Sequence, residues 1–271
     1  MESSARALIA QELAKAYSTR EAVDPLIGRF PGITLEDSYE IQLLQIADRI
    51  AEGRRVVGHK VGLTSAAMQR QLGVNQPDYG HITDDMVFLE HEAITLGTFL
   101  QPRVEPEIAF VLKAPLAGPG ITVPQALAAV DFILPAIEII DSRIRDWKIG
   151  FLDTIADNAS SGGIVLGSTP VHVTDVDLRL SGCVLYRNGE VAATGAGGAV
   201  LGSPISSLVW LANTVGPLGI TLEPGHIVLP GSQTASIPVT PGDAFTAHFA
   251  GLGSVTTRFS TDETSTNQGA S

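Results

Sequence analysis

A single cysteine, Cys183, stands in 271 residues, so no disulfide can close within the chain and the spacing of a thiolate zinc site is missing. Basic residues are scarce as well. Lys and Arg number 17 against 29 Asp and Glu, a net charge of −12, which argues against a surface that tracks phosphates and leaves no nucleic acid among the expected partners. No apolar run approaches the roughly 20 residues that span a bilayer, so no membrane partner is expected either. The opening "MESSARALIAQELAKAY" carries Glu2, Arg6, Gln11, Glu12 and Lys15 between its apolar positions and lacks the uninterrupted core of a signal peptide. A cytoplasmic placement is the expectation. Hydrophobic residues make up 44% of the chain and charged ones 17%, the balance of a globular protein with enough length for a sizeable core.

Helical patterning comes first along the chain. Ile9, Leu13, Ala16 and Tyr17 recur at helical spacing with Ser3 or Ser4 available as a cap. In "TLEDSYE", Thr34 and Asp37 form a capping-box pattern, Tyr39, Leu43, Ile46 and Ile50 make one apolar face, and Gly53 ends the helix. These helices define an N-terminal helical portion over residues 1–55. From "RRVVGHKVGLTS" onward short β-branched runs alternate with Gly and Pro, as in "RVEPEIAFVL", "FILPAIEIID" and "HIVLPG". Asn188-Gly189 in "YRNGEV" signals a hairpin. "VPQALAAV", with Pro124 in its first turn, and "SSLVWLANTVGPLG", closed by Gly219, interrupt the strands as helices. An α+β class follows, with a β-rich catalytic domain over 56–260 and a disordered tail over 261–271. No fixed-period repeat breaks this pattern.

Charge in the wrong place marks the candidate chemistry. Glu105 and Glu107 flank Pro106 in an otherwise apolar strand and share a face with Cα atoms about 7 Å apart. Glu138 lies in the equally apolar "LPAIEIID". Three acids in two apolar strands are most simply reconciled by a shared hard cation such as Mg²⁺ or Mn²⁺, with waters that a bidentate 2-oxo or 2-hydroxy acid displaces. The other reading puts Glu105 and Glu107 on the solvated face of an edge strand, Pro106 marking the edge or a bulge. In "GHKVGLTS", Lys60 either snorkels outward or is held in a site; Gly58 and Gly62 permit close approach there, and Leu63, Thr64 and Ser65 follow. "DNASSGG", with Asp157, Asn158 and Ser160, reads as a polar turn before a buried strand. Asp78 and His81 stand in "PDYGHITDD", where a lone histidine is ordinarily exposed.

"GHKVGLTSAAM", "PDYG", "VEPEIAF", "PAIEIIDSR", "DNASSGG", "GSPISSLVWLAN" and "PGD" occur in an order that closely resembles the 2-keto-4-pentenoate hydratases of the fumarylacetoacetate hydrolase superfamily, from the second helix to about Ser260. The resemblance implies a mixed β-rich roll with flanking helices, Glu105, Glu107 and Glu138 as ligands to Mg²⁺ or Mn²⁺, Lys60 and Asp78 as catalytic groups, and Leu63, Asn158 and Ser160 around a small 2-hydroxy or 2-oxo acid. It implies hydration of 2-hydroxypenta-2,4-dienoate to 4-hydroxy-2-oxopentanoate in aromatic or steroid ring catabolism, by a homo-oligomer built on dimers that can associate with a pathway companion enzyme. Within the same family a 4-oxalocrotonate decarboxylase or a 2-oxohept-4-ene-1,7-dioate hydratase is the alternative. A second substrate carboxylate needs a second cation, for which Arg143, Arg145 and Lys148 are at hand. Two further readings are a metal-free lyase that uses Lys60 as a Schiff base and a partner subunit that acts by binding.

Overall fold

A computed structural model describes residues 1–261, the side chains of Gln71 and Leu72 excepted. The expected tail over 261–271 therefore lies, apart from Thr261, outside the described residues. The chain opens with α1 (Ser3–Thr19), α2 (Leu26–Arg29) and α3 (Leu35–Ala51). Strands follow as β1 (Val56–Gly62), β2 (Asp78–Thr83), β3 (Val87–Phe88), β4 (Ala93–Ile94), β5 (Arg103–Leu112), β6 (Val130–Ile140) and β7 (Ser161–Leu166). The remaining strands are β8 (Gly182–Arg187), β9 (Glu190–Ala196), β10 (Ile227–Leu229), β11 (Ile237–Pro238), β12 (Ala244–Phe249) and β13 (Gly253–Phe259). Four helices are interspersed: α4 (Ala66–Leu72), α5 (Val123–Ala129), α6 (Phe151–Ala156) and α7 (Pro204–Val215).

Two mixed sheets result. The larger has the order β2-β1-β10-β5-β6-β7-β3, with β11 also on β5, and the smaller runs β4-β13-β12-β8-β9. Alternation along β5 and β6 decides what each face holds. Val104, Ile108 and Phe110 of β5 and Ile133, Ile137 and Ile139 of β6 enter the core shared with Phe245, Ala247 and Leu208. The opposite face carries Ala109, Leu134 and Ala136 against Ile82, Ile164 and Leu229, and beyond that apolar floor the same face continues with Glu107, Glu105 and Glu138. The α+β architecture with an N-terminal helical portion agrees with the expectation. Asn188-Gly189 joins β8 to β9, as the hairpin signal predicts.

Two local expectations are corrected. Ser3 and Ser4 lie inside α1, whose N-cap is Glu2 without a side-chain cap bond. In α3 the Thr34–Asp37 capping box forms, yet the inward face is Ser38, Ile41, Gln42, Gln45 and Ile46, while Leu43 and Ile50 are 37% and 52% exposed. The reason is polar: Gln42 Nε2 donates to the carbonyls of Tyr79 and Ile155, and Gln45 Nε2 to that of Ala156, so the helix docks on backbone that only an amide can satisfy. Ile9, Leu13, Leu26 and Ile41 pack with Ile144 and Ala156 in a separate cluster, which fastens the N-terminal helices to the segment that leads into the site. Gly197–Leu218 is long and apolar enough to pass for a membrane span. Its α-helical part is 12 residues, about 18 Å at 1.5 Å per residue, and it buries Ile205, Leu208, Leu211 and Val215.

Candidate active site

Strand register brings the three acids together. Glu105 of β5 pairs directly with Glu138 of β6, and ligand oxygens of Glu105, Glu107 and Glu138 all lie within 4.8 Å of one another. The edge-strand reading fails, because β5 is flanked by β6 on one side and by β10 and β11 on the other. Pro106 sits where β11 has ended and β10 has not begun, its carbonyl accepting from Gln233 N at 3.3 Å. Its missing N–H thus falls at a gap in the ladder. Glu107 is fully buried and Glu138 1% exposed.

The cluster is short of positive charge. Lys60, 4% exposed, puts Nζ 3.2 Å from Glu138 Oε1 and donates to the Ala159 carbonyl at 2.9 Å. Glu107 Oε2 accepts from Gly231 N at 2.7 Å. Glu107 Oε1, Glu138 Oε2 and Asp78 Oδ1 find no hydrogen-bond partner, and Glu138 Oε1 has only the ion pair with Lys60. Four carboxyls face the Lys60 ammonium, with the Arg103 guanidinium acting on Glu105 as well, and an uncompensated buried carboxylate costs several kcal/mol. Burial first, and then the charge of Glu138, pushes Glu105 up to about 7; the same causes, joined by Glu105, hold Glu107 well above the carboxylate range. Burial raises Asp78 too, against the pull of Lys60. For Lys60 burial acts to lower, but Glu138 and Asp78 outweigh it and keep the ammonium above its usual range. A lysine so firmly charged is a poor nucleophile, against the Schiff-base reading. Orphaned oxygens in an all-carboxylate set fit a hard divalent cation.

Two glycines make room for this packing. A Cβ on Gly62 would meet Asp78 Oδ1 at 2.1 Å, and Gly231, at φ +120°, would meet Thr64 Oγ1 at 2.1 Å. Gly62 therefore lets the Asp78 carboxyl lie across β1, and Gly231 lets its N–H reach Glu107. Beside the acids opens a cavity of about 270 Å³ lined by Lys60, Leu63, Asp78, Glu105 and Ser160, with Arg103 at one wall.

The other predicted residues separate. Asn158 is absent from that lining: its Oδ1 accepts from His81 N at 2.8 Å and its Nδ2 donates to His81 O at 2.9 Å, so it acts as an extra strand for β2. Asn158, Ala159 and Ser160 all have positive φ, 51–53°, a strained turn that presents the Ala159 carbonyl to Lys60 and Ser160 to the cavity. The turn is clamped by Arg143, fully buried, which donates to the Asp157 carboxylate, the Asp157 carbonyl at 2.6 Å and the Ser161 carbonyl at 2.9 Å and stacks on Tyr17. Arg143 is thus not free for a substrate carboxylate. Arg145 and Lys148 pair with Asp24 and Asp146 at the surface. His81 is buried rather than exposed, its Nδ1 is 3.0 Å from Gln42 Oε1, and burial lowers it to about 4. Arg103 went unnoticed in the sequence, although two residues before Glu105 in a strand is the same face.

A family model, fumarylacetoacetate (FAA) hydrolase C-terminal, matches residues 55–260. The chain belongs to the fumarylacetoacetate hydrolase family. Within the family it is 47% identical, over 94% of both chains, to a 2-keto-4-pentenoate hydratase of Paraburkholderia xenovorans. It is 41% identical to a 2-oxo-hept-4-ene-1,7-dioate hydratase of Escherichia coli, over 93% of this chain and 97% of that one. A solved 4-oxalocrotonate decarboxylase from Pseudomonas putida G7, complexed with magnesium and adipate, superposes with a TM-score of 0.92 at 37% identity, over 96% of this chain and 98% of that one.

Proposed function

We propose that the protein is a metal-dependent hydratase that converts 2-hydroxypenta-2,4-dienoate to 4-hydroxy-2-oxopentanoate. The carrying observation is the cluster of half-buried Glu105 with buried Glu107 and Glu138, the latter two with orphaned oxygens, beside the cavity that Lys60, Asp78 and Glu105 line. The 47% identity to a hydratase supports the choice of reaction. A divalent ion held by the trio, Mg²⁺ or Mn²⁺, supplies Lewis-acid polarisation of an oxygen of the bound acid. Lys60 has three N–H donors; one goes to Ala159 and one faces Glu138, which leaves the third for the substrate's carboxylate or C2 oxygen, where negative charge develops. Asp78 holds and delivers the proton taken up at C5, its raised carboxyl being suited to carry one. The C2 enol hydroxyl gives up its proton as C5 gains one, and water then adds across the C3–C4 double bond, its hydroxyl going to C4 and a proton to C3. Leu63 and Ser160 line the path of the carbon chain, and Asn158 serves by holding the turn rather than by touching the ligand.

The test is ultraviolet loss of freshly generated 2-hydroxypenta-2,4-dienoate over EDTA-stripped protein, with and without Mg²⁺ or Mn²⁺ and with product mass recorded. Metal-dependent loss with gain of one water supports the hydratase. Likeness to the decarboxylase structure keeps a second reading: carbon dioxide release from 4-oxalocrotonate without turnover of the dienoate would move the protein there. Assembly from dimers, association with a companion enzyme, a cytoplasmic setting and the division into a helical portion over 1–55 and a catalytic domain over 56–260 belong to the same proposal.

A further inference from the structure

An indole stands where the inner cavity ends and a second one begins. Arg103 and Trp147 line both the inner cavity and an outer one of about 580 Å³. Trp147 is half-buried and held at two points: its Nε1 donates to the Gln101 carbonyl at 3.0 Å, and the Arg103 guanidinium lies 5.5 Å from the ring centroid. Its backbone is left-handed at φ +55°, as is that of Asp146 at +58°. A bulky side chain rarely adopts that region, and such strain persists where the surroundings over-determine it at a site.

Strand register relates the indole to the chemistry. Glu105 pairs with Glu138 and, one step out on the same face, Arg103 pairs with Ile140, a step of about 7 Å. Gln101, whose carbonyl tethers the indole, lies further out still. Ile140, Trp147 and Ile149 give the inner cavity an apolar wall on that side, which suits the uncharged end of a carbon chain. From C2 to C5 of the pentadienoate is three bonds, roughly the 3.8 Å between consecutive Cα atoms. A chain anchored at the Glu105–Glu138 level and running outward therefore ends before the indole, whereas one longer by several carbons reaches it. Behind the indole the outer cavity continues apolar, with Leu96, Phe99, Leu100, Pro102 and Val239.

We propose that Trp147 is a specificity-determining residue: its indole shuts the inner cavity from the outer one and limits this site to 2-hydroxy or 2-oxo acids with short, uncharged chains. Shortening the side chain joins the two cavities and lets a longer alkyl chain run into the outer one. The proposal rests on the metal-dependent reading above.

Calorimetry on Mn²⁺-loaded protein with 2-oxopentanoate and 2-oxooctanoate, which differ by three methylenes, tests it. Wild type is expected to bind 2-oxooctanoate about ten-fold or more weaker than 2-oxopentanoate. Trp147→Ala should tighten 2-oxooctanoate about ten-fold or more over wild type, at up to about four-fold per buried methylene, and leave 2-oxopentanoate and Mn²⁺ affinity little changed. Trp147→Phe, which keeps a ring but loses the bond to Gln101, should lie between. The wild-type comparison needs no variant: 2-oxooctanoate binding as tightly as 2-oxopentanoate, or tighter, would overturn the proposal. So would a Trp147→Ala protein that binds Mn²⁺ as wild type does and keeps the wild-type gap between the two acids. Absence of Mn²⁺ binding by wild type would instead overturn the underlying reading, and the chain-length limit with it.

Discussion

Two charge clusters meet at the 158–160 turn and are built on opposite rules. Around Arg143 every acceptor is matched: the guanidinium meets the Asp157 carboxylate, two backbone carbonyls and the Tyr17 ring. Around Lys60 four carboxyls outnumber the ammonium and the Arg103 guanidinium that acts on Glu105, and several of their oxygens have no hydrogen-bond partner. A saturated pair holds shape, here the left-handed turn at 158–160. An unsaturated cluster holds a place for something else. Apart from half-buried Glu105 both are buried, so burial alone does not separate scaffold from site; the count of unmet donors and acceptors does.

Substitutions should pull the two clusters apart. Glu107→Gln, which removes a ligand from the unsaturated cluster, is expected to lower hydratase turnover on the order of a thousand-fold while the metal-free protein melts close to wild type, because burial already favours the neutral carboxyl at this position and Gln keeps its shape and its acceptor for Gly231 N. Arg143→Met should do the reverse in stability. Stranding Asp157 in the interior costs about 3–5 kcal/mol, readable in a urea titration. Asn158→Ala loses two bonds to β2 and should cost about 1–3 kcal/mol, with a KM change smaller than the kcat change, as fits a residue that positions the turn without touching ligand.

The smallest effect is in pH. Glu105 is raised from its ordinary 4.5 to about 7, by burial before the charge of Glu138. A carboxyl raised on folding contributes stability at low pH that is lost as pH climbs between those values. Metal-free protein should therefore melt progressively lower from pH 4.5 to 7, and Mn²⁺ affinity should rise through the same window as the proton is displaced. Asp157, pushed up to about 6 by burial against the pull of Arg143, adds to the melting trend but is expected to show no coupling to Mn²⁺.

Much of the unsaturated cluster was readable in the chain, because three acids in β-branched runs violate the pattern of their own strands. The capping box at Thr34 and the Asn188-Gly189 hairpin were readable for the same reason, since each is local. What escaped depends on partners far along the chain. Arg143 looked like a spare cation until Asp157 closed on it, and Asn158 looked like a ligand contact until the backbone of His81 claimed both ends of its amide. The inner face of α3 is misjudged from apolar spacing, because Gln42 and Gln45 answer carbonyls more than 30 residues away. Arg103 needed only the two-residue strand period to be found, but the Trp147 ring beside its guanidinium is visible only in three dimensions.

The most direct test of the contrast is thermal melting of EDTA-stripped wild type, Glu107→Gln and Arg143→Lys against rising Mn²⁺. Binding to the native state alone stabilises by about 2.7 kcal/mol at a hundred-fold excess over Kd. Wild type and Arg143→Lys are predicted to rise with the logarithm of Mn²⁺ concentration and Glu107→Gln to stay flat. A flat wild type, or an equal rise in Glu107→Gln, would contradict the claim that the orphaned carboxylates are a cradle for a divalent ion.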